Sequence, residues 1–270
     1  MLDRIQRIAD HLKKATGGFV PETGIILGTG LSGLGREIQV AHSIPYGEIP
    51  EFPVSTVQGH PGRLLFGTLG GRPVVAMQGR FHFYEGWSMA EVVLPVRVFK
   101  LLGIRRLFVS NACGGVNPAF EVGDLMVLND HICLFPNPLI GPNLDALGTR
   151  FPDMSEPYDH ALIARARAIA EAHGIALREG CYVGLTGPTL ETPAEYHYVR
   201  VIGGDAVGMS TVPEVIAARH MGLPCFAMSV ITDMGVKGRI EKTTHEMVQR
   251  VAEGAEPKLT LIMRELIAGI

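Results

Sequence analysis

The sequence predicts one α/β domain that spans residues 1–270. Short apolar runs typical of buried strands alternate with amphipathic helical segments, and no linker-like segment divides the chain. A composition of 47% hydrophobic and 19% charged residues is that of a globular protein, and 270 residues are enough to bury a substantial core. There is no internal repeat or low-complexity tract that would point to another architecture.

Helical spacing and capping residues predict the helices. Ile5, Ile8 and Leu12 recur at helical spacing, and Gly17-Gly18 ends that first helix. A further helix is expected over residues 160–172. Small hydroxyl residues followed by an acidic residue, with or without an intervening proline, open the remaining helices at Ser88, Thr192, Thr211 and Thr243. The first of these helices is expected to reach about Leu102.

Apolar runs bounded by glycine or charged residues predict the strands. Arg63–Leu69 and Pro73–Met77 are joined by Gly70-Gly71, which indicates a hairpin. The strand Arg106–Val109 is expected to break into a turn over Asn111–Gly115. The other predicted strands are Gly24–Leu27, Gly180–Leu185 and Pro224–Thr232.

Charge, hydropathy and cysteine spacing exclude several classes of protein. The formal net charge is −3 and no Lys/Arg block occurs, so no nucleic-acid partner is expected. The N-terminal run Met1–Arg7 is charged and unlike a secretion signal, and no apolar run approaches membrane-spanning length. The scattered cysteines favour neither a zinc site nor a disulfide framework, which predicts a cytoplasmic protein without a metal: Cys113, Cys133, Cys181 and Cys225.

A glycine-rich turn follows the first predicted strand. Residues Gly28–Gly33 match the G-x-G-x-x-G pattern of dinucleotide-binding domains, and Glu48 and Glu51 lie about 20 residues further on. Prolines interrupt the region where the crossover helix and second strand of such a domain would lie: Pro45, Pro50 and Pro53. A turn that offers backbone amides and the Thr29 hydroxyl to an anion is the favoured interpretation, and an NAD-dependent oxidoreductase is the alternative.

Three other features indicate an oxyanion site. Within Gln78–Gly86, Arg80 and His82 are two residues apart, so an extended chain directs both side chains to one face. Arginine donates two parallel hydrogen bonds to an oxyanion, and histidine adds a donor or a proton carrier. The small-residue segment 110–115 and the segment 208–214, with Ser210 near a helix start, add further donors. Together these segments predict a phosphate site.

As a set, these segments resemble the trimeric, low-molecular-mass purine nucleoside phosphorylases. The matching motifs occur in the family's order and cover nearly the whole chain: Ile26–Leu31, Val57–His60, Gln78–Gly86, Asn111–Gly115, Gly187–Thr192, Asp205–Glu214 and Thr244–Glu246. The nearest relatives to exclude are the methylthioadenosine phosphorylases. A non-catalytic purine or phosphate sensor is a further alternative, against which His60, His82 and Glu191 weigh.

The resemblance implies a central mixed β-sheet flanked by helices, and it implies phosphorolysis. In this reaction a purine ribonucleoside or deoxyribonucleoside and inorganic phosphate give the free base and (deoxy)ribose 1-phosphate. The transition state resembles an oxocarbenium ion, so positioning and fixed dipoles suffice and no metal or organic cofactor is implied. The family also implies a homotrimer in which Phe151, from the long Pro-, Gly- and Asn-rich loop Phe135–Glu156, enters a neighbouring subunit's site.

The resemblance also implies a role for individual residues. The catalytic residues implied are His82, Glu191 and Asp233. The phosphate-binding residues implied are Thr29, His60, Arg80, His82, Ala112 and Ser210. The nucleoside-binding residues implied are Tyr84, Phe151, Tyr182, Leu190, Glu191, Val207, Met209, Asp233 and His245.

The residues implied for the base and ribose point to different substrates. Glu191 matches the residue that accepts N1–H of a 6-oxopurine, and His245 suits a 5′-hydroxyl, so both favour inosine and guanosine. Asp233 stands where members specific for 6-oxopurines carry Asn. An ionised Asp233 accepts from a 6-amino group, whereas a protonated one donates to N7 as a general acid. The sequence therefore predicts a purine nucleoside phosphorylase that tolerates adenosine as well as 6-oxopurines.

Overall fold

The computed structural model describes residues 1–56 and 61–270, and its centre is a mixed β-sheet. Nine strands are present in these ranges: β1 (Thr23–Leu27), β2 (Gln39–Pro45), β3 (Arg63–Leu69), β4 (Arg72–Gln78), β5 (Arg106–Gly115), β6 (Leu125–Cys133), β7 (Leu177–Gly184), β8 (Ala206–Gly208) and β9 (Cys225–Met234). The sheet order is β2-β3-β4-β1-β5-β8-β7-β6-β9. Because β9 also pairs with β5, the last five strands of that order close on themselves.

Helices cover the sheet, as the predicted α/β class requires. The α-helices in the described ranges are α1 (Leu2–Ala15), α2 (Gly33–Glu37), α3 (Met89–Val92), α4 (Leu94–Leu102), α5 (His160–Ala172), α6 (Pro193–Val201), α7 (Val212–His220) and α8 (His245–Ala268). Their apolar faces join the sheet in one large core, to which Ile8, Phe108 and Leu259 contribute fully buried side chains. No helix in the described parts of the chain is both long and apolar enough to cross a membrane.

Parallel pairing places four strand ends together. β4, β1, β5 and β9 are parallel neighbours, so their carboxyl ends meet at one edge of the sheet. Segments that follow β1 and β4 carry the glycine-rich turn and Arg80 to this edge. In open α/β sheets, ligands bind outside the carboxyl ends of the strands, so this edge is where a site is expected.

The glycine-rich turn does not begin a dinucleotide-binding unit. The helix that follows it, α2, has only five residues. The next strand, β2, lies at the sheet edge and pairs antiparallel with β3 rather than parallel with β1. A Rossmann-type unit needs two parallel strands joined by a full crossover helix, so the NAD-dependent alternative is wrong.

Several predicted elements agree with the structure. The Gly70-Gly71 hairpin joins β3 and β4, and α5 has the predicted bounds. The capping box of Ser88 and Glu91 and that of Thr192 and Glu195 both form. The strands predicted over 24–27, 180–185 and 224–232 correspond to β1, β7 and β9, with differences of one to three residues at their ends.

Three local predictions are wrong. β5 does not break after Val109 but continues to Gly115, because β8 and β9 pair with its second half. The helix expected over residues 88–102 is divided at Val93, since the ring of Pro95 clashes with the carbonyl four residues earlier. Thr211 precedes α7 with a φ of 70° and makes no side-chain cap, so the predicted likeness to the Thr192 cap is absent.

Candidate active site

A cavity of about 550 Å³ opens at the carboxyl ends of β1, β4, β5 and β9. Polar groups that suit a phosphate and groups that suit a purine both face it. It is lined by Gly28, Thr29, Thr56, Arg80, His82, Tyr84, Glu85, Asn111, Ala112, Cys113, Gly114, Pro188, Leu190, Glu191, Val207, Gly208, Met209, Ser210, Thr232, Asp233, His245 and Val248. Its volume is within the range of small-molecule sites.

Arg80 is the buried cation of this cavity, with 2% of its surface exposed. Its guanidinium donates to the carbonyl of Ser110 and, at 3.2 Å, to Thr211 Oγ1. Glu214 on α7 lies 3.7 Å away and is equally buried, so the positive charge is balanced inside the protein. These contacts hold the planar fork in a single orientation, which is the preorganisation that oxyanion binding requires.

The Thr211 hydroxyl fixes the direction of the Ser210 hydroxyl. Thr211 Oγ1 accepts from Arg80 Nη1 and, at 2.8 Å, from Asn111 Nδ2. Both of its lone pairs are therefore used, and its own proton is directed to Ser210 Oγ, 3.2 Å away. Asn111 is oriented in turn because its Oδ1 accepts from Ser229 at 2.7 Å. The Ser210 proton is left for another acceptor, and Ser210 itself lines the cavity.

A hydrogen-bonded carboxylate orients the His82 ring. Glu85 accepts from the backbone amide of His82 at 2.8 Å and from the ring Nδ1 at 3.0 Å. Burial raises the pKa of the Glu85 carboxyl, but hydrogen bonds from His82 and Thr56 outweigh it and lower the pKa to about 2. Burial lowers the pKa of His82, so the ring is neutral with its proton on Nδ1. Tyr84 stacks on it with ring centroids 4.7 Å apart.

The glycine-rich turn approaches β5 closely. The Gly28 amide donates to Ser110 Oγ at 3.3 Å, and a Cβ at Gly28 would lie 2.7 Å from the Ser110 carbonyl oxygen. Only glycine fits at this position, because any side chain would collide with the β5 backbone. This contact brings Thr29 to the cavity wall.

Two carboxylates face another part of the cavity. Asp233, at the end of β9, accepts from Tyr196 at 3.0 Å through Oδ2 and from Thr232 at 3.0 Å through Oδ1. Glu191 lies just before α6. Burial, and then the nearby charge of Asp233, raise the pKa of the Glu191 carboxyl. Acceptors of this kind suit the polar edge of a purine, and Val207 and Leu190 supply apolar surface beside them.

Comparison with known proteins agrees with this geometry. The phosphorylase superfamily model matches residues 22–268. Purine nucleoside phosphorylase 1 of Geobacillus stearothermophilus is 52% identical, over 92% of this chain and 90% of that protein. The chain belongs to the purine nucleoside phosphorylase family. The rat member, from Rattus norvegicus, is 48% identical over 98% of this chain and 94% of its own length.

Solved structures of the family have the same fold. The Schistosoma mansoni purine nucleoside phosphorylase in complex with adenosine superposes with a TM-score of 0.94 and 44% identity, over 99% of this chain and 97% of that one. A Schistosoma purine nucleoside phosphorylase in complex with guanosine gives a TM-score of 0.92 and 42% identity, over 99% and 97% of the two chains. The central mixed sheet flanked by helices is therefore that of the purine nucleoside phosphorylases.

The structure brings most of the residues implied by the family together around one cavity. They are Thr29, Arg80, His82, Tyr84, Ala112, Leu190, Glu191, Val207, Met209, Ser210, Asp233 and His245. Ala112 reaches the cavity from within the continuous strand β5, not from the turn expected there. His60 lies outside the described residues.

Two of the implied residues are elsewhere. Tyr182 on β7 is fully buried, and its hydroxyl lies beneath Gly208, so the backbone of Gly208 and not the Tyr182 ring forms the wall at that point. Phe151 is 84% exposed on the surface of the long loop, away from this chain's own cavity.

Sequence reasoning missed several residues of the site. Asn111 and Glu85 lie inside motifs that were recognised, but their roles depend on contacts with Thr211 and Thr56, which the sequence does not show. Tyr196 lies five residues after Glu191 and has no signal of its own. Its position one helical turn after the Thr192 cap could have indicated that it points back toward Glu191.

Proposed function

We propose that the protein is a purine nucleoside phosphorylase, which converts purine ribo- and 2′-deoxyribonucleosides and inorganic phosphate into free base and (deoxy)ribose 1-phosphate. The observation that carries the proposal is one cavity lined both by the polar set Arg80, Ser210 and His82, which suits a phosphate, and by the Glu191 and Asp233 carboxylates. A binding protein for phosphate or for purine alone would need only one of these two sets.

The phosphate is held by groups whose directions are already set. The Arg80 guanidinium, the Ser210 hydroxyl, the Thr29 hydroxyl and the Ala112 amide bind the phosphate oxygens, and His60 is expected close by. With its proton on Nδ1, His82 presents the Nε2 lone pair and accepts from a phosphate hydroxyl. The nucleophile that attacks C1′ is the phosphate dianion HPO₄²⁻, which keeps its hydroxyl proton in the hydrogen bond to His82, and the fixed donors cost no reorganisation when charge develops.

The carboxylates act where negative charge reaches the leaving base. As the glycosidic bond breaks, electron density moves into the purine ring, and a proton or donor at N7 stabilises it. We assign Asp233 to this role and Glu191 to N1, with Met209 and Tyr84 against the ribose and His245 at the 5′-hydroxyl, because all five line the cavity. Inorganic phosphate is the co-substrate, and no metal or organic cofactor takes part in this mechanism.

The active form is proposed to be a homotrimer in which Phe151 completes a neighbouring site. The Phe151 ring is 84% exposed, so burying it against a second copy of the chain removes apolar surface from water and favours association. Ile140, 78% exposed on the same loop, supports an apolar contact there.

The four free thiols agree with a reducing compartment, and we propose that the protein acts in the cytoplasm without nucleic-acid or membrane partners.

The experiment that tests this function measures base release from inosine and from adenosine, each with and without inorganic phosphate. Phosphate-dependent release from at least one of them is expected. Release without any need for phosphate would indicate hydrolysis, and absence of release would remove the proposed function. 5′-Methylthioadenosine serves as the third substrate, because Asp233 suits its 6-amino group whereas His245 faces its apolar 5′ substituent.

The same assay tests the proposed base preference. Adenosine is accepted because Asp233 is an acceptor opposite the 6-amino group, and the Schistosoma mansoni enzyme in complex with adenosine supports this expectation for the family. Asp233→Asn replaces an acceptor oxygen with an amide donor, so the adenosine-to-inosine ratio of kcat/KM should fall at least tenfold. An unchanged ratio would show that Asp233 does not determine base preference.

A further inference from the structure

A second, smaller cavity lies between helix α4, the end of helix α7 and residues 138–144 of the long loop. Its volume is about 140 Å³, against about 550 Å³ for the candidate active site, so it suits a small ion or molecule and not a nucleoside. Arg97 on α4 and His220 on α7 line it, and both are buried, with 5% and 4% of their surfaces exposed. Leu139, Leu144 and two prolines of the loop make most of the remaining wall apolar.

The guanidinium of Arg97 has no anionic partner among the described residues. Arg80, the other buried arginine in these ranges, lies 3.7 Å from Glu214. Within residues 1–56 and 61–270, Arg97 forms no hydrogen bond or ion pair, its Nε is completely covered, and no acidic side chain lines the cavity. Burial lowers the pKa of Arg97, and no nearby carboxylate offsets this effect. An arginine stays charged when buried, so an anion that reaches its Nη groups regains part of the solvation lost on folding.

His220 holds the loop over this cavity. Its Nε2 lies 3.1 Å from Asn143 Oδ1, and Asn143 Nδ2 donates to the carbonyl of Gly148 at 2.9 Å. The carbonyl of His220 leaves no room for a Cβ at Gly148, so the loop backbone packs directly on α7. Burial, and then the charge of Arg97, lower the pKa of His220. The ring is therefore neutral, and Arg97 is the cationic side chain that an anion would meet.

The same loop carries Phe151. Arg150 donates through Nη1 to the carbonyls of Leu139 and Gly141, at 3.1 and 2.8 Å. These bonds join the part of the loop that lines the cavity to the residue that precedes Phe151. A molecule bound in the cavity is thus connected to the position of the Phe151 ring.

We propose that this cavity binds a small aliphatic carboxylate, and that the bound carboxylate fastens the long loop to α4. The planar fork of Arg97 donates to both carboxylate oxygens through its Nη groups, and the alkyl end lies against Leu139 and Leu144. A phosphate group would leave oxygens without donors beside these apolar side chains, which is unfavourable. The fastening of the loop rests on the proposed function, because it matters only if Phe151 serves a neighbouring nucleoside site.

The first test measures binding without turnover, with propionate as the probe. Saturation-transfer NMR is recorded in chloride buffer with excess inorganic phosphate, which occupies the active site. Wild type should bind propionate, and Arg97→Met should raise the Kd about tenfold or more, because charge-assisted hydrogen bonds are lost. Arg105→Met, at an exposed arginine just after α4, is the matched control and should bind as wild type does. Absence of binding to wild type, or equal binding to Arg97→Met, would overturn the proposal.

Thermal unfolding in chloride buffer separates a free carboxylate from one supplied by a neighbouring copy. If no protein group pairs with Arg97, Arg97→Met replaces a buried unpaired charge by an apolar side chain, and its Tm should equal or exceed that of wild type. A lower Tm, together with no propionate binding to wild type, would assign the cavity to a carboxylate of a second copy and would contradict the proposal.

The second test concerns the loop. At constant ionic strength, replacing chloride by saturating propionate should lower KM for the nucleoside about fivefold in wild type, a coupling at the low end of those known between sites. The same exchange should leave KM unchanged in Arg97→Met and in Phe151→Ala. An unchanged KM in wild type would show that the bound carboxylate does not act on the loop. If the protein has no phosphorolytic activity, the NMR test still decides whether the site exists.

Discussion

At the scale of single residues, the Glu85 carboxylate does more for the site than its position in a turn indicates. It accepts four hydrogen bonds, from the amide and ring of His82 and from the amide and hydroxyl of Thr56. These bonds join two segments of the cavity wall and select the Nδ1–H tautomer of His82. Glu85 thus determines which ring nitrogen of His82 accepts from phosphate.

Glu85→Gln is expected to lower the free energy of unfolding by about 1 to 3 kcal/mol at neutral pH, because hydrogen bonds to a charged acceptor are lost. The pKa of Glu85 is lowered by folding, so its contribution is present above its ordinary value of 4.5 and is lost as pH falls toward about 2. The difference between wild type and variant, measured by urea unfolding, should therefore be smaller at acidic pH than at neutral pH. Glu48→Gln, at an exposed position, is the control. A difference that grew on acidification would contradict this account.

The sequence predicted charged residues of the site better than it predicted their partners. Arg80, His82 and Asp233 reach one cavity because they follow or end strands β4 and β9, whose carboxyl ends meet, and Glu191 reaches it from the segment before α6. Tyr182 could not be placed, because its orientation depends on the glycine backbone packed over its hydroxyl. Contacts of this kind join residues far apart in the chain, and no local pattern encodes them.

At the scale of elements, helix α8 supports the glycine-rich turn from behind. Glu256, in the middle of α8 and only 7% exposed, accepts from the Gly33 amide at the start of α2 and pairs with Arg36 at 3.1 Å. The carboxylate satisfies an amide that a five-residue helix leaves without a partner. A Cβ at Gly33 would overlap the Glu256 carboxylate, which would have to move away from the Gly33 amide.

Glu256→Ala is expected to destabilise the protein by about 2 kcal/mol and to raise KM for phosphate, because a buried amide loses its acceptor and the turn that carries Thr29 loses its support. Glu253→Ala, one turn earlier on the solvent side of the same helix, should change neither quantity. Thermal unfolding and phosphate saturation curves measure the two effects. Equal behaviour of the two variants would show that α8 does not position the turn.

Helices with clear caps and strands of buried apolar residues could be predicted, whereas strands defined by their neighbours could not. β6 and β8 carry no strong alternating pattern, and β8 has only three residues held between β5 and β7. β5 continues through the small residues Asn111–Gly115 because strands on both sides supply its hydrogen bonds. Long-range pairing here overrides the local preference of glycine for a turn.

At the scale of the whole molecule, the exposed Phe151 allows the proposed homotrimer to be tested. A homotrimer of this 29.1 kDa chain has a mass of about 87 kDa, measurable by light scattering. Phe151→Ala should raise KM for nucleosides about tenfold, since the proposed aromatic contact with the substrate in a neighbouring site would be lost. Val122→Ala, at another exposed apolar residue outside the long loop, is the control and should leave KM unchanged.

Mixed assemblies show which subunit supplies the ring. Phe151→Ala subunits combined with Glu191→Ala subunits place an intact Phe151 beside an intact base site whenever the two kinds are neighbours. Recovery of a low KM in the mixture is therefore expected. If Phe151→Ala has no effect on KM, or mixing restores nothing, the ring does not act across a subunit boundary.

The cavity depends on contacts between residues far apart in the sequence, so it is complete only when nearly the whole chain is present. Arg80 meets Thr211 across 131 residues of sequence, and Gly33 meets Glu256 across 223. Contacts between residues so far apart in the sequence slow folding, because the entropy of closing the intervening loop opposes each of them. A chain still emerging from the ribosome has the strands that carry the phosphate donors but lacks α8 behind them. A chain that ends before α8 thus lacks the Glu256 acceptor behind the glycine-rich turn, and its cavity wall is incomplete.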